Sequence, residues 1–263
     1  DPGIDHSMSH ALVDDYKNSP KFSADNEHSF LSYCGGLSDV PNDFCYKFSW
    51  SPLGVLKALM STSVSIRNGD IFTVSKPWES VELYPLPMPW GEDEFEVYPN
   101  RDSLPFIDQY QMDDGLKIKQ FVRGTLRYKG WKNAWGDIFS EVDTLDASIA
   151  EARLKEISDD LWDRYSYKDG EVDRVILTVE LKVENDTEVL WHKQYLMDTL
   201  GNDNGSAMAQ LVSCSVALAV EAVLGNEISS GVTAAPHQNK LVTRWLDQAE
   251  DISDHFVLID HLN

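Results

Sequence analysis

The stretch RVILTVELKV, Arg174–Val183, decides the fold class of this 263-residue chain. From Val175 onward every second residue is aliphatic, and Thr178, Glu180 and Lys182 lie between them. Because side chains of a strand point alternately to opposite faces, this period of two predicts a β-strand with one buried face. The polar run ENDTE that follows predicts a turn, and VLWHKQYLM after it predicts the second strand of a hairpin.

Helical patterns occur on both sides of this hairpin. Ser51 followed by Pro52 predicts a helix start, because serine caps the first turn and proline is favoured at the first helical position. Apolar residues recur at helical spacing through about 130–165, which predicts two short helices within a small helical insertion at about 130–168. Strands and helices therefore mix along the chain, and we expect an α/β (α+β) fold with a mixed sheet covered by helices.

A third helix is predicted over Ala207–Leu224, the longest apolar run in the chain. Ser206 supplies an N-cap and Gly225 supplies a C-cap. The run is apolar on nearly all sides, but it includes polar residues such as Gln210 and Glu221. This pattern favours a helix buried in the core over a membrane span.

The charge of the chain limits its partners. It has 44 acidic and 22 basic residues, a formal net charge of -22, which argues against nucleic acid or an anionic membrane as a partner. The three cysteines, Cys34, Cys45 and Cys214, have no CxxC spacing and cannot all pair. With no secretory signal in the sequence, these cysteines predict a reduced, cytoplasmic location.

The stretch QFVRGTLRY, 120–128, offers the clearest candidate binding surface. On a strand, Arg123, Thr125 and Arg127 share one face, and Gly124 leaves room for another backbone or a ligand to approach. Guanidinium groups bind carboxylates in two-pronged fashion, so a carboxylated small molecule is a fitting ligand. The alternative is that these arginines pair with some of the many acidic residues of the chain.

Other polar clusters favour no single chemistry. DPGIDH brings Asp1, Asp5 and His6 together, but a metal site needs further ligands at defined spacing, so we expect no metal. Arg101 in YPNRDS fits a surface turn or a binding loop, and Cys34 in SYCGGL fits a small buried residue or a thiol near a ligand. The sequence contains no dinucleotide fingerprint, phosphate-binding loop, HExxH motif or nucleophile elbow.

Six short stretches together resemble the glutamate-forming saccharopine dehydrogenases, also called saccharopine reductases. In the family's order they are DPGIDH (1–6), SYCGGL (32–37), YKFSWSPLGVL (46–56), YPNRDS (98–103), RGTLRYKGW (123–131) and GSAMAQLV (205–212). Members of this family couple NAD or NADP to the interconversion of saccharopine with glutamate and aminoadipate semialdehyde in lysine metabolism. The resemblance therefore implies an oxidoreductase whose ligand carries three carboxylates.

The resemblance also implies roles for individual residues. The substrate contacts that it implies are Asp1, Arg101, Thr125, Leu126 and Arg127. Ser49 would contact the cofactor from this part of the enzyme. Cys34 and Asp1 would lie near the reacting carbon, where either could help to move a proton. The residues that choose between NAD and NADP are not in this sequence.

In the family, DPGIDH follows the nucleotide-binding domain. Residues 1–263 therefore resemble the substrate-binding and dimerisation domain alone, like the C-terminal half of glyceraldehyde-3-phosphate dehydrogenase, and without the other half we expect a homodimer that does not turn over substrate. After SYCGGL the chain departs from the family pattern, which leaves open a related imine substrate such as carboxynorspermidine. A second alternative is a non-catalytic carboxylate-binding or dimerisation module that kept the fold.

Overall fold

A nine-stranded mixed sheet forms the frame of the computed structural model, which describes residues 3–113, 115–146 and 148–263. The strands are β1 (Glu27–Ser38), β2 (Ser63–Arg67), β3 (Asp70–Val74), β4 (Glu82–Met88), β5 (Gly91–Pro99), β6 (Lys117–Tyr128), β7 (Asp173–Glu184), β8 (Val189–Leu200) and β9 (His255–Asp260). The helices are α1 (Ile4–Lys17), α2 (Pro52–Leu59), α3 (Pro105–Gln109), α4 (Trp131–Ala134), α5 (Gly136–Asp143), α6 (Ala150–Tyr165), α7 (Ala207–Leu224) and α8 (Asn239–Asp251), and Pro77–Ser80 is a short 3-10 helix. The expected mixed α/β class, the β7–β8 hairpin and the start of α2 after Ser51 are confirmed.

The strands follow the order β3-β2-β6-β1-β7-β8-β9. Strand β1 runs parallel to β6, with Glu27 opposite Lys117, and antiparallel to β7. Strands β4 and β5 form a hairpin that pairs with the last part of β6. The centre of the sheet therefore joins segments that are far apart in the sequence.

Both faces of the sheet are covered by apolar side chains. One face meets α1 and α8 through the alternate residues predicted for β7, which are Val175, Leu177, Val179, Leu181 and Val183. The other face carries Val122, Leu126 and Tyr128 of β6, which pack with Leu86 and Phe95 of the β4–β5 hairpin. The alternation that predicted β6 and β7 thus sorts their side chains into two separate cores.

A third core lies under the helices that follow β6. Trp131 and Trp135 are fully buried, and Phe44 stacks on Trp135 with ring centroids 4.7 Å apart. Helix α2 packs against α6 in the same cluster. The predicted helices of this region are present, and their status as an insertion relative to the family remains a prediction.

Helix α7 corrects one prediction. Asp173 accepts hydrogen bonds from the backbone N–H groups of Ala207 and Met208, at 2.7 and 3.0 Å, and so satisfies the helix N-terminus. Beyond this anchored end the helix is largely exposed, with Ala207, Leu211 and Ala222 as its buried residues. The prediction of a buried core helix is wrong. An apolar composition indicates that a helix has apolar surface, but it does not show that other parts of the same chain bury that surface. Among the described residues, α7 is long and apolar enough to cross a membrane by length and composition, and 17% of it is buried.

Candidate functional site

The candidate site begins at a change of partner along β6. Its residues Gln120 and Phe121 pair with β2, whereas Gly124–Tyr128 pair with β5. The turn after β5 fills the gap between them: the N–H of Asn100 donates to the carbonyl of Arg123 at 3.0 Å. Arg101, next in the turn, has a left-handed backbone with φ of 54°, a conformation that costs free energy for a non-glycine residue.

A cleft of about 670 Å³ lies over this part of the sheet. It is bounded by β1, β6, α2 and the first turns of α7. The predicted site residues that line it are Cys34, Ser49, Arg101, Thr125 and Arg127. Asp1 lies outside the described residues. Leu126 has its side chain buried in the core of the opposite face, so its predicted substrate contact would be through the backbone.

The Arg127 guanidinium is held by aromatic rings. It lies 4.7 Å from the ring centroid of Tyr46 and 5.8 Å from those of Tyr98 and Trp131, and the residue is 7% exposed. One terminal nitrogen donates to the carbonyl of Leu126 at 3.1 Å. No carboxylate pairs with Arg127 in the described part of the chain. The cation–π contacts hold the guanidinium group in place and leave some of its N–H donors available to bind an anion.

Arg123 has a different environment. It donates to the carboxylate of Asp5 at 2.5 Å, and the Asp5 side chain is 1% exposed. The guanidinium also stacks on the ring of Phe106, 3.8 Å from its centroid. Of the two alternatives that the sequence left open, internal ion pairing is thus correct for Arg123, whereas no such pair involves Arg127 among the described residues.

Helix α1 presents two histidines beside this ion pair. Burial lowers the pKa of His6, whose Nδ1 lies 2.9 Å from the hydroxyl of Tyr110. Burial, together with the nearby rings of His237 and His6, lowers the pKa of His10 to about 4. Both are therefore neutral at pH 7. The described residues contain no group of three or more His, Cys, Asp or Glu that could hold a metal ion.

The cleft reverses the charge balance of the chain. Three arginines, Arg101, Arg123 and Arg127, contribute to its lining, and no aspartate or glutamate does so among the described residues. Asp5 pairs with Arg123, so Arg101 and Arg127 carry the excess positive charge of the cleft, in a chain with twice as many acidic as basic residues. A cleft of this size and charge suits a small molecule with several carboxylates.

Close backbone approach explains Gly124. A Cβ atom there would lie 2.4 Å from the carbonyl oxygen of Tyr98 and 2.8 Å from the ring of Tyr33. The sequence predicted that another backbone or a ligand approaches Gly124, and the structure shows that the backbone of β5 does so. Across the β1–β6 pair, Cys34 is opposite Thr125, so the thiol and the hydroxyl line the cleft side by side.

Sequence reasoning missed several residues of the site. Tyr46 and Trp131 belong to the aromatic cage of Arg127, and Met208, Ala209 and Ser213 bring the start of α7 to the cleft. The GSAMAQLV stretch includes Met208 and Ala209, but its helical pattern predicted only a core helix and gave no sign that these residues line the cleft. The partnership of Asp5 with Arg123 spans 118 positions and has no local signal.

Fold and cleft together define a class of protein: an α/β domain with an arginine-lined cleft on one face of its mixed sheet. The chain belongs to the saccharopine dehydrogenase C-terminal domain family, whose model matches residues 1–252. The resemblance seen in the sequence is therefore confirmed. The family is one of oxidoreductases.

Individual relatives agree with this assignment. The NADP(+), L-glutamate-forming saccharopine dehydrogenase of Pyricularia oryzae is 27% identical over 92% of this chain and 67% of its own length. The Saccharomyces cerevisiae enzyme of the same name is 39% identical over 50% of this chain and 28% of its own length. The mouse mitochondrial alpha-aminoadipic semialdehyde synthase is 36% identical over 51% of this chain and 14% of its own length.

A solved structure shows the same fold. The apo, histidine-tagged L-Glu-forming saccharopine dehydrogenase from Saccharomyces cerevisiae superposes with a TM-score of 0.73 at 25% identity, covering 98% of this chain and 72% of that one. This chain thus spans from a seventh to about two thirds of the length of these three curated relatives.

Proposed function

We propose that this chain is the substrate-binding domain of an NAD(P)-dependent oxidoreductase of lysine metabolism that interconverts saccharopine with glutamate and aminoadipate semialdehyde. The single observation that carries this proposal is the cleft with three arginines and no carboxylate in its described lining. Saccharopine has three carboxylates, and guanidinium groups are the side chains best suited to bind them.

The arginines divide the work of binding. Arg127, caged by aromatic rings, offers its fork to one substrate carboxylate, and Arg101 on its turn offers a second. Asp5 neutralises the charge of Arg123, so this arginine shapes the cleft instead of adding a full positive charge. Thr125 and the backbone of Leu126 orient the bound substrate, and Cys34 and Asp1 are the candidates for moving a proton at the reacting carbon.

The residues of this chain fit one end of a dinucleotide. Exposed Ser49 lines the cleft and can contact a nicotinamide, whereas no glycine-rich fingerprint exists in the sequence to hold the pyrophosphate. A bound nicotinamide supplies the hydride acceptor. The chain alone is therefore proposed to bind saccharopine without turning it over.

Calorimetric titration of the chain with saccharopine tests this proposal. We expect Arg127→Gln to weaken binding by about 10- to 100-fold, since hydrogen bonds to charged groups contribute roughly 1.5–3 kcal/mol. Arg127→Lys keeps the charge but loses the fork, and it should recover part of the affinity at most. Arg164→Gln, which removes an arginine on α6 that pairs with Asp160, should leave binding unchanged.

Competing ligands separate the alternatives. Carboxynorspermidine has fewer carboxylates and more amines than saccharopine, so we expect it to bind more weakly. Tighter binding of carboxynorspermidine, or an unchanged affinity in Arg127→Gln, would contradict the substrate assignment. If saccharopine binds but the chain joined to a nucleotide-binding domain oxidises nothing, a non-catalytic carboxylate-binding module replaces the enzyme.

Assembly and location complete the proposal. We propose a homodimer, supported by the outer strand β9, whose Val257 and Ile259 are only half-buried. An exposed strand edge can pair with another chain. The three free cysteines support a reduced, cytoplasmic compartment. Sedimentation and the distribution of a tagged chain in cells check these two expectations.

A further inference from the structure

Glu96 lies beside Arg127 in the sheet but forms no ion pair with it. The two residues are directly opposite each other across the β5–β6 pairing, so their side chains share one face of the sheet. Glu96 is 9% exposed, and a carboxylate buried to this extent needs a partner. Both of its carboxylate oxygens accept hydrogen bonds from backbone N–H groups instead.

Those N–H groups belong to the start of α4. Gly130 donates to one oxygen of Glu96 at 2.9 Å, and Lys132 donates to the other at 2.7 Å. The first N–H groups of a helix have no partner within the helix, so the carboxylate satisfies two donors at once. Trp131 lies between these two donors in the sequence. One side chain of β5 therefore fixes where Trp131 lies over the sheet.

Trp131 connects this anchor to Arg127. Its side chain is fully buried, and its ring centroid lies 5.8 Å from the guanidinium. The same ring stacks on Tyr98, with the two centroids 4.9 Å apart, and Tyr98 follows Glu96 by two residues on β5. One wall of the aromatic cage of Arg127 thus depends on the two hydrogen bonds of Glu96.

We infer that Glu96 is a positioning residue that acts on Arg127 through Trp131; the inference rests on the proposed function, in which Arg127 binds a substrate carboxylate. The two hydrogen bonds hold the cage that orients the guanidinium fork. They also keep the Glu96 carboxylate from pairing with Arg127, which would occupy donors that a ligand needs. Both effects favour binding of the substrate.

Glu96→Asp tests this inference without changing the charge of the chain. The side chain is shorter by one methylene group and is too short to reach both N–H groups, so Trp131 loses its fixed position and the carboxylate is free to turn toward Arg127. In calorimetry we expect saccharopine to bind about 3- to 30-fold more weakly, the range that a cation–π contact supports. Trp131→Leu should weaken binding similarly, and Trp131→Phe, which keeps a ring, should recover most of the affinity.

Two comparisons separate positioning from a general loss of stability. Val142→Ala removes buried side-chain atoms of α5 in the same core but outside the cage. It should lower the melting temperature and leave the affinity for saccharopine unchanged. In the Arg127→Gln chain, adding Glu96→Asp should cause no further loss of affinity, because Glu96 acts through Arg127.

An NMR measurement needs no ligand. Ring currents of the cage displace the Nε–H signal of Arg127 from the signals of exposed arginines such as Arg164, and Arg127→Lys assigns it in a chain with isotope-labelled arginine. Glu96→Asp should move this signal, whereas Val142→Ala should leave it in place. If Glu96→Asp fails to fold, Glu96→Gln serves for the same measurement, because it keeps the length of the side chain and one acceptor oxygen.

Other results would overturn the inference. An unchanged affinity or an unchanged Arg127 signal in Glu96→Asp would show that Glu96 does not position Arg127. A further loss of affinity in the Arg127→Gln chain would mean that Glu96 acts by another route, and equal losses in Glu96→Asp and Val142→Ala would leave it a role in stability alone. If the wild-type chain does not bind saccharopine, the proposed function fails, and the Arg127 signal still decides whether Glu96 positions this arginine.

Discussion

Arg123 and Arg127 share one face of β6 but differ in what neutralises them. Asp5 gives Arg123 a permanent counter-ion, whereas the rings around Arg127 hold its position and supply no full negative charge. An arginine in the second situation gains more from an incoming carboxylate, because its own desolvation has not yet been offset. For the proposed substrate, Arg127 is therefore the stronger carboxylate-binding group of the two.

The Asp5–Arg123 pair predicts energetic coupling. Asp5→Asn should lower the free energy of unfolding by about 2–4 kcal/mol, since it leaves a largely buried guanidinium without its carboxylate. The double variant Asp5→Asn/Arg123→Gln should cost less than the sum of the two single variants by about 1 kcal/mol or more. Urea unfolding measures all three, and strictly additive losses would show that the two side chains do not depend on each other.

Gly124 predicts a steric defect. A methyl group there meets the Tyr98 carbonyl and the Tyr33 ring well inside van der Waals distance, so Gly124→Ala should destabilise the chain by about 1–3 kcal/mol. Gly136→Ala is the matched control, because a Cβ at that α5 position meets nothing within 4 Å. Thermal unfolding should separate the two variants; equal melting temperatures would be inconsistent with the close approach of β5.

At the scale of elements, α7 depends on a carboxylate that lies outside it. Asp173 of β7 accepts hydrogen bonds from two backbone N–H groups in the first turn of α7. The Ser206 hydroxyl accepts a third, from the N–H of Ala209 at 3.2 Å. The same turn lines the cleft. Capping therefore fixes both the helix and one wall of the site.

This arrangement predicts a loss of stability in Asp173→Asn. The amide keeps one acceptor oxygen, but its NH₂ group then faces a helix N–H, so we expect a cost of about 1–2 kcal/mol. Ser206→Ala should cost about 1 kcal/mol, as other N-cap serines do. Urea unfolding gives both values. An unchanged stability in Asp173→Asn would mean that water satisfies the α7 N-terminus.

The periodic patterns in the sequence predicted the strands and helices well, but they did not predict what those strands and helices pack against. The alternation in β6 and β7 specified which side chains share a face, and the arginine face of β6 does line the cleft. The burial of α7 and the partner of Arg123 were not predictable in this way. The first depends on a surface that the chain itself does not cover, and the second joins residues 118 positions apart.

At the scale of the whole molecule, buried histidines make the fold sensitive to acid. Burial lowers the pKa of His6, His10 and His28, so the unfolded chain binds protons on these residues at a higher pH than the folded chain does. Stability is therefore complete above the unfolded pKa of about 6.5 and falls as the pH drops toward the folded values.

His10 provides the clearest measurement. Because the folded pKa of His10 is about 4, lowering the pH from 7.5 to 5 should reduce the free energy of unfolding by about 2 kcal/mol through this residue. His10→Gln does not titrate, so its stability should fall less than that of the wild type over the same interval. Parallel pH profiles for the wild type and His10→Gln would refute a buried, neutral His10.

The position of β1 in the sheet has a consequence for biosynthesis. Both neighbours of this early strand come late: β6 begins at Lys117 and β7 ends at Glu184. At translation rates of about 5–20 residues per second, β1 waits roughly 8 to 30 s after leaving the ribosome before its second neighbour exists. Until β6 is made this strand has two unpaired edges, and until β7 is made it has at least one, which invites aggregation. Recovery of soluble protein should therefore depend on chaperone supply and on the speed of synthesis.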